Sequence, residues 1–270
     1  MRPNARTVIS IGVAILFVVP LIWLITASLR QPGLPAPRSI EWLPNPIVPG
    51  NYARIFEMLP LGRYALNSLI VVALAVPITI VTASWAAFAM AQLSDRAQRR
   101  LVILSIGLLL IPLSALWLPR YVMFAWLGWI NSYATLIAPA VMGTSPLFVL
   151  LFYWTFRRVP REMFESARLE GASSLTVWWK IAVPLAAPTV AAVGLLTFLM
   201  YWSDFVSPLL YLKSQSLYTL PVGLRQLQQL DRSNWPLLMA GAAVVTAPAV
   251  MAFLAVQRYF LGENSRPFGS

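Results

Sequence analysis

Cysteine and histidine are both missing from the 270 residues. Without cysteine the chain has no disulfide framework and no thiol chemistry. Without histidine it lacks the commonest general base and metal ligand. Together with the scarcity of acidic residues inside its apolar stretches, this speaks against an integral membrane enzyme. Charge is thin altogether, at 11% of residues, with nine acidic side chains against twenty basic ones. Soluble domains carry about 25% charged and about 45–50% apolar residues. Here the hydrophobic share is 59%, which places the chain among membrane proteins.

Six stretches contain no Asp, Glu, Lys or Arg: 7–29, 64–94, 101–119, 121–156, 181–203 and 233–257. A spanning helix needs roughly 20 mostly apolar residues. The runs predict an all-α integral membrane fold with six spans, about 8–28, 66–91, 101–120, 134–156, 184–206 and 237–257. A signal peptide is the alternative for the first run, since Arg2 and Arg6 precede it and Ala27 and Ser28 follow. Its apolar core exceeds the roughly 7–15 residues of a signal, so a retained span is expected. The breaks at Pro77, Gly107, Pro112, Pro139, Gly194 and Pro248 fit a multi-helix bundle whose neighbours or wet cavity satisfy freed carbonyls. No internal repeat is visible, so an inverted-repeat secondary transporter gains no support.

The net charge of +11 raises the question of a nucleic-acid partner, and its distribution answers it. Twelve of the twenty basic residues flank alternate spans: Arg2, Arg6, Arg96, Arg99, Arg100, Arg157, Arg158, Arg161, Arg168, Lys180, Arg258 and Arg266. Cytoplasmic loops retain Lys and Arg, so the pattern predicts both termini on the cytoplasmic side, with lipid rather than nucleic acid around the chain. The loop from about 30 to 63 holds seven prolines (Pro32, Pro35, Pro37, Pro44, Pro46, Pro49 and Pro60) and is expected to be extended rather than helical.

The segment "PREMFESARLEGASSLTVWWKIAVPL", from Pro160, is the polar exception between two apolar runs. Pro160 suits a first helical position. Glu162 complements the positive helix end, and Gly171 can take the left-handed conformation that closes helices. A short helix over 160–170 follows. Met163, Phe164 and Ala167 share one of its faces, expected to meet water and to mark a contact surface. The bland alternative is a solvated connector, but a connector needs far fewer residues.

"ESARLEGA" followed by "IAVPL" resembles the EAA loop of permease subunits of ATP-binding-cassette importers. Glu165, Ala167, Gly171, Ile181 and Pro184 match that pattern, with Ser166 in place of an alanine and Glu170 in place of aspartate. "NYARIF" (Asn51, Tyr52), "ALNSLIV" (Asn67, Ser68), "TLPVGL" from Thr219 and "QRYFLG" from Gln257 echo the maltose-type sugar permeases, so the resemblance covers about 8–262. It implies a single transmembrane permease domain, 1–270, of the type I importer kind, with a core bundle over about 64–258 and a coupling loop at 157–183. It also implies a cytoplasmic coupling helix gripped by a separate ATPase, through Phe164, Glu165, Ser166, Ala167, Glu170, Gly171 and Ala172. The partners implied are a second permease subunit, an ATPase dimer and an external substrate-binding protein. No cofactor is expected in this chain. ATP and Mg belong to the ATPase, because a phosphate-cradling loop needs Gly-x-x-x-x-Gly-Lys-Ser/Thr, and neither lysine (Lys180, Lys213) follows a glycine.

Within "LMYWSDFVSPLL", Tyr201, Trp202 and Asp204 are candidates for a substrate pathway. Carboxylates near membrane depth are costly and often face a cavity. An exposed or Arg-paired Asp204 at the span end is the alternative. A glycerol-phosphate importer and an ion-gradient-driven secondary transporter remain as other readings of the whole chain. The latter would usually show more intramembrane ionisable residues.

Overall fold

A computed structural model describes residues 5–39 and 41–257. The "QRYFLG" segment beyond Gln257, the basic residues Arg258 and Arg266 and the terminus ahead of Ala5 lie outside the described residues. The described chain is helical, with fourteen α-helices joined by short 3₁₀ and π turns. Two compact units divide it, one of the described residues up to Ala65 with Thr219–Val250, the other of Leu66–Tyr218 with the described residues from Met251 on.

In the first unit, α1 (Ala5–Ser28) is followed by a proline-rich stretch and then α2 (Asn51–Met58). The expectation of an extended loop over 30–63 therefore fails at α2. The prolines stop at Pro49 and resume at Pro60, and the eight residues of α2 contain none. Asn51 explains part of the motif around it. Its amide donates to the carbonyls of Ser28 and Arg30, both at 2.7 Å, closing the orphan carbonyls at the end of α1. α13 (Leu220–Leu230) and the start of α14 (Trp235–Val256) complete this unit. Gly223 on α13 lies against the ring of Tyr64, and a Cβ at 223 would overlap that ring and approach Leu61 Cδ2 to 3.0 Å. Tyr64, fully buried, donates its hydroxyl to Gln226 at 3.1 Å.

The second unit holds most of α3 (Leu61–Ala91), then α4 (Asp95–Leu109), α5 (Trp117–Trp126), α6 (Ala134–Val141), α7 (Pro146–Arg157), α8 (Arg161–Leu169), α9 (Ser174–Val177), α10 (Val183–Leu185), α11 (Ala187–Trp202) and α12 (Val206–Tyr211). Local chemistry sets several ends. Ser145 caps α7, accepting from Leu147 N–H, with Pro146 in the first turn where its missing N–H costs nothing. Ser173 accepts from Thr176 N–H and starts α9, which runs into a π turn over Trp178–Ala182. A buried aromatic cluster of Phe88, Phe148, Phe152, Phe156, Phe164 and Trp178 forms the core of this unit.

Four helical stretches are long and apolar enough to cross a membrane: Ser10–Ser28, Leu61–Ala91, Ala134–Arg157 and Trp235–Val256. Two bent pairs raise the number to six if each counts as one span. These are Asp95–Leu109 with Leu113–Trp126, at 88°, and Ser174–Leu185 with Ala187–Trp202, at 83°. The expected span 101–120 thus turns through a near right angle at Pro112, which cannot continue the hydrogen-bond ladder. Leu110, Leu118, Phe17 and Trp126 lie largely exposed, as lipid-facing side chains do.

Candidate functional site

The polar segment folds as its sequence dictates, one residue later than expected at its start. Pro160 precedes the helix instead of opening it, and α8 runs from Arg161 to Leu169 with Glu162 in its first turn and Arg168 in its last. Its end is a Schellman closure. Gly171 N–H donates to Arg168 O and Ala172 N–H to Ala167 O, both at 3.0 Å, while Gly171 sits at φ +87°. Nothing crowds a Cβ at 171. The glycine is required by its backbone angle, not by space.

The orientation of α8 corrects the expected exposed apolar face. Phe164 is 3% exposed, its ring edge-on to Phe88 at 5.6 Å. Ala167 and Ala172 pack half-buried on the same aromatic core. These three residues hold α8 down. The outer surface instead consists of Glu165, Ser166, Glu170 and Leu169, the last 90% exposed. Met163 is partly exposed beside them.

Polar contacts fasten α8 to the turn between α3 and α4. Arg168 donates to Gln92 Oε1 at 3.1 Å, and Arg161 and Arg157 approach Asp95 at 3.6 and 3.7 Å. These ion pairs are exposed and individually weak. Beneath them Gln98 is fully buried, and its amide donates to Ala91 O and Leu93 O at 3.1 and 2.8 Å. Its Oε1 accepts from Tyr153 OH at 2.8 Å, and that hydroxyl accepts from Arg157 at 3.0 Å. One side chain therefore ties the α3–α4 turn to α7. The sequence signal for it, one of two glutamines in a basic loop, is faint.

A second feature is a cavity of about 340 Å³ bordered by α5, α6, α11 and α12. Tyr201 and Asp204 line it, as do Trp117, Arg120, Thr144 and Tyr211. Trp202 does not. It is 2% exposed and stacks on Phe198, with ring centroids 5.6 Å apart. Neighbours on a helix face different ways, so the structure brings Tyr201 and Asp204 together and turns Trp202 aside. Asp204 accepts from Ser207 N–H at 3.1 Å, at the start of α12. Thr144 sits at φ +60° in the break between α6 and α7, its hydroxyl 2.6 Å from that of Thr79 and 3.2 Å from that of Tyr201. Arg120 was missed as a wall residue, although one arginine dividing two charge-free runs is a visible mark.

Helices long and apolar enough for several crossings, a cavity walled by broken helices and a polar helix packed on an aromatic core are the build of a multi-pass membrane protein. Residues 61–261 match the family described as binding-protein-dependent transport system inner membrane component, and the chain belongs to it. The membership makes it a multi-pass inner-membrane transport protein. It is 30% identical over 252 residues to the arabinooligosaccharides transport system permease protein AraQ of Halalkalibacterium halodurans, covering 92% of this chain and 90% of that one. It is 28% identical over 261 residues to the melibiose/raffinose/stachyose import permease protein MelC of Bacillus subtilis, with 96% and 94% covered. The fold is similar to that of a bacterial ABC transporter involved in import of the acidic polysaccharide alginate. That likeness has a TM-score of 0.74 at 19% identity, covering 94% of each chain.

Proposed function

We propose that this chain is the membrane-spanning subunit of an ATP-driven importer for a sugar or oligosaccharide, coupled through α8 to an ATPase on a separate polypeptide. The observation that carries the coupling is the two-sided build of α8. Phe164, Ala167 and Ala172 fix one side to the aromatic core, and Glu165, Ser166, Leu169 and Glu170 stand free on the other. A helix anchored this way passes a push on its outer side directly to α3, α4 and α7.

The sugar class rests on relatives that import oligosaccharides and on the aromatic and hydroxyl lining beside Tyr201. Six spans, with each bent pair counted once, and termini on the cytoplasmic side are the topology that fits the basic loops. Such an importer uses a second permease subunit, a pair of ATPase subunits that bind ATP and Mg, and a periplasmic or extracellular binding protein.

Uptake of radiolabelled oligosaccharide into proteoliposomes holding the assembled importer tests this reading. Uptake is expected to follow ATP and to ignore the membrane potential. Uptake driven by an ion gradient without ATP would contradict it.

A further inference from the structure

Three departures from helical geometry lie at or next to the cavity beside Tyr201. They are the bend at Leu110–Pro112 ahead of α5, the Met142–Ser145 break with Thr144 at φ +60°, and the Ser203–Phe205 break between α11 and α12. Irregular backbone at membrane depth is tolerated where it is buried in protein or lines a wet cavity. An arginine and an aspartate stand on the walls, Arg120 and Asp204, on the same cavity as Tyr201. Among the described residues neither takes part in an ion pair. Much of the remaining polar wall is already engaged. Ser203 Oγ donates to Leu199 O at 2.6 Å, Thr135 Oγ1 to Ser132 O at 2.8 Å, and Tyr211 OH to Trp117 O at 3.3 Å. Asp204 keeps one carboxylate oxygen beyond its bond to Ser207, and the Arg120 guanidinium keeps its donors.

We propose that Arg120 and Asp204 form a charge-balanced carbohydrate site that accepts neutral polyhydroxylated ligands and disfavours solutes of either net charge. The proposal rests on the importer reading and adds a selection rule to it. A sugar hydroxyl both donates and accepts, so adjacent hydroxyls satisfy the carboxylate and the guanidinium fork together. Trp117 and Tyr201 line the same space and can pack on the apolar side of a pyranose, while Tyr211 is buried behind them against Phe124. An anionic sugar gains at Arg120 and loses at Asp204, and a cationic solute does the reverse. Either leaves one wall charge unfavourably placed in a space where charges are weakly screened.

The chain's lack of cysteine gives a direct test. Met200 lines the cavity and is 42% exposed, so Met200→Cys, in the assembled importer in membranes without ATP, reports on the space. Anionic and cationic methanethiosulfonates are expected to modify it at comparable rates. Adding Asp204→Asn raises the anionic-to-cationic rate ratio about tenfold, and adding Arg120→Gln lowers it by a similar factor. The uncharged methyl reagent, unaffected by either substitution, shows that the fold is kept. Maltose or melibiose slows modification of Met200→Cys, whereas digalacturonate does not. A ratio that neither substitution moves, protection by digalacturonate better than by the neutral sugars, or no protection by any of them would overturn the proposal. Because the readout needs no ATP, its failure is distinct from a failure of ATP-driven uptake.

Discussion

Gly171 is where one residue decides the geometry of a whole loop. At φ +87° a side chain costs about 1–3 kcal/mol, although space is free around it. Proline at 171 is excluded outright, since its ring fixes φ near −65°. Gly171→Pro is therefore expected to abolish ATP-dependent uptake while the protein still reaches the membrane, and Gly171→Ala to reduce it. Uptake assays paired with membrane immunoblots check both. Gln98 makes a second prediction. Gln98→Leu removes, from a fully buried side chain, the donor to the carbonyls of Ala91 and Leu93 and the acceptor of the Tyr153 hydroxyl, at about 0.5–1.5 kcal/mol for each bond lost. A lower melting temperature in detergent is expected. The capping signals at Pro160, Glu162 and Gly171 were legible because capping is local in sequence. The burial of Phe164 was not, because it depends on Phe88, in a distant helix that only the tertiary structure brings near. Tyr201 and Asp204 were found from their polarity, while Trp202 was assigned to the wrong side because sequence neighbours on a helix do not share a face.

Helices, taken as elements, followed the apolar runs wherever a run stayed straight. α3 and α14 keep Pro77 and Pro248 within continuous helix, whereas Pro112 stands at the 88° bend. The sequence marks all three prolines alike, so which of them ends a helix depends on what packs around it. The expected loop over 30–63 failed for the complementary reason, as an unbroken eight-residue window between prolines is enough for α2. Packing of α13 yields a prediction at this scale. Gly223→Ala forces a Cβ into Tyr64 and is expected to destabilise by about 1–3 kcal/mol, read as a lower melting temperature. The connection to α14 adds a pH effect. Bonds from Asn234 and Ser233 hold the Asp231 carboxyl below its usual pKa. Its contribution to stability is therefore present above the ordinary aspartate value and lost as pH falls through the lowered one. Asp231→Asn should flatten that acid-side loss in a melting series.

At the scale of the whole molecule, the second unit holds both α8, anchored on one side and exposed on the other, and the cavity that Arg120 and Asp204 line. The family match over 61–261 gives both features a transport context, and the coupling proposed above would run through the anchored side of α8. The absence of cysteine means that an introduced thiol is the only one this chain carries. Leu169→Cys, on the exposed end of α8, is to be treated with a short thiol-to-amine crosslinker in membranes containing the assembled importer. A crosslink to the ATPase subunit is predicted, with a yield that changes when ATP is added. Full uptake activity in the crosslinker-free variant, with no ATPase captured at any nucleotide state, would contradict the account.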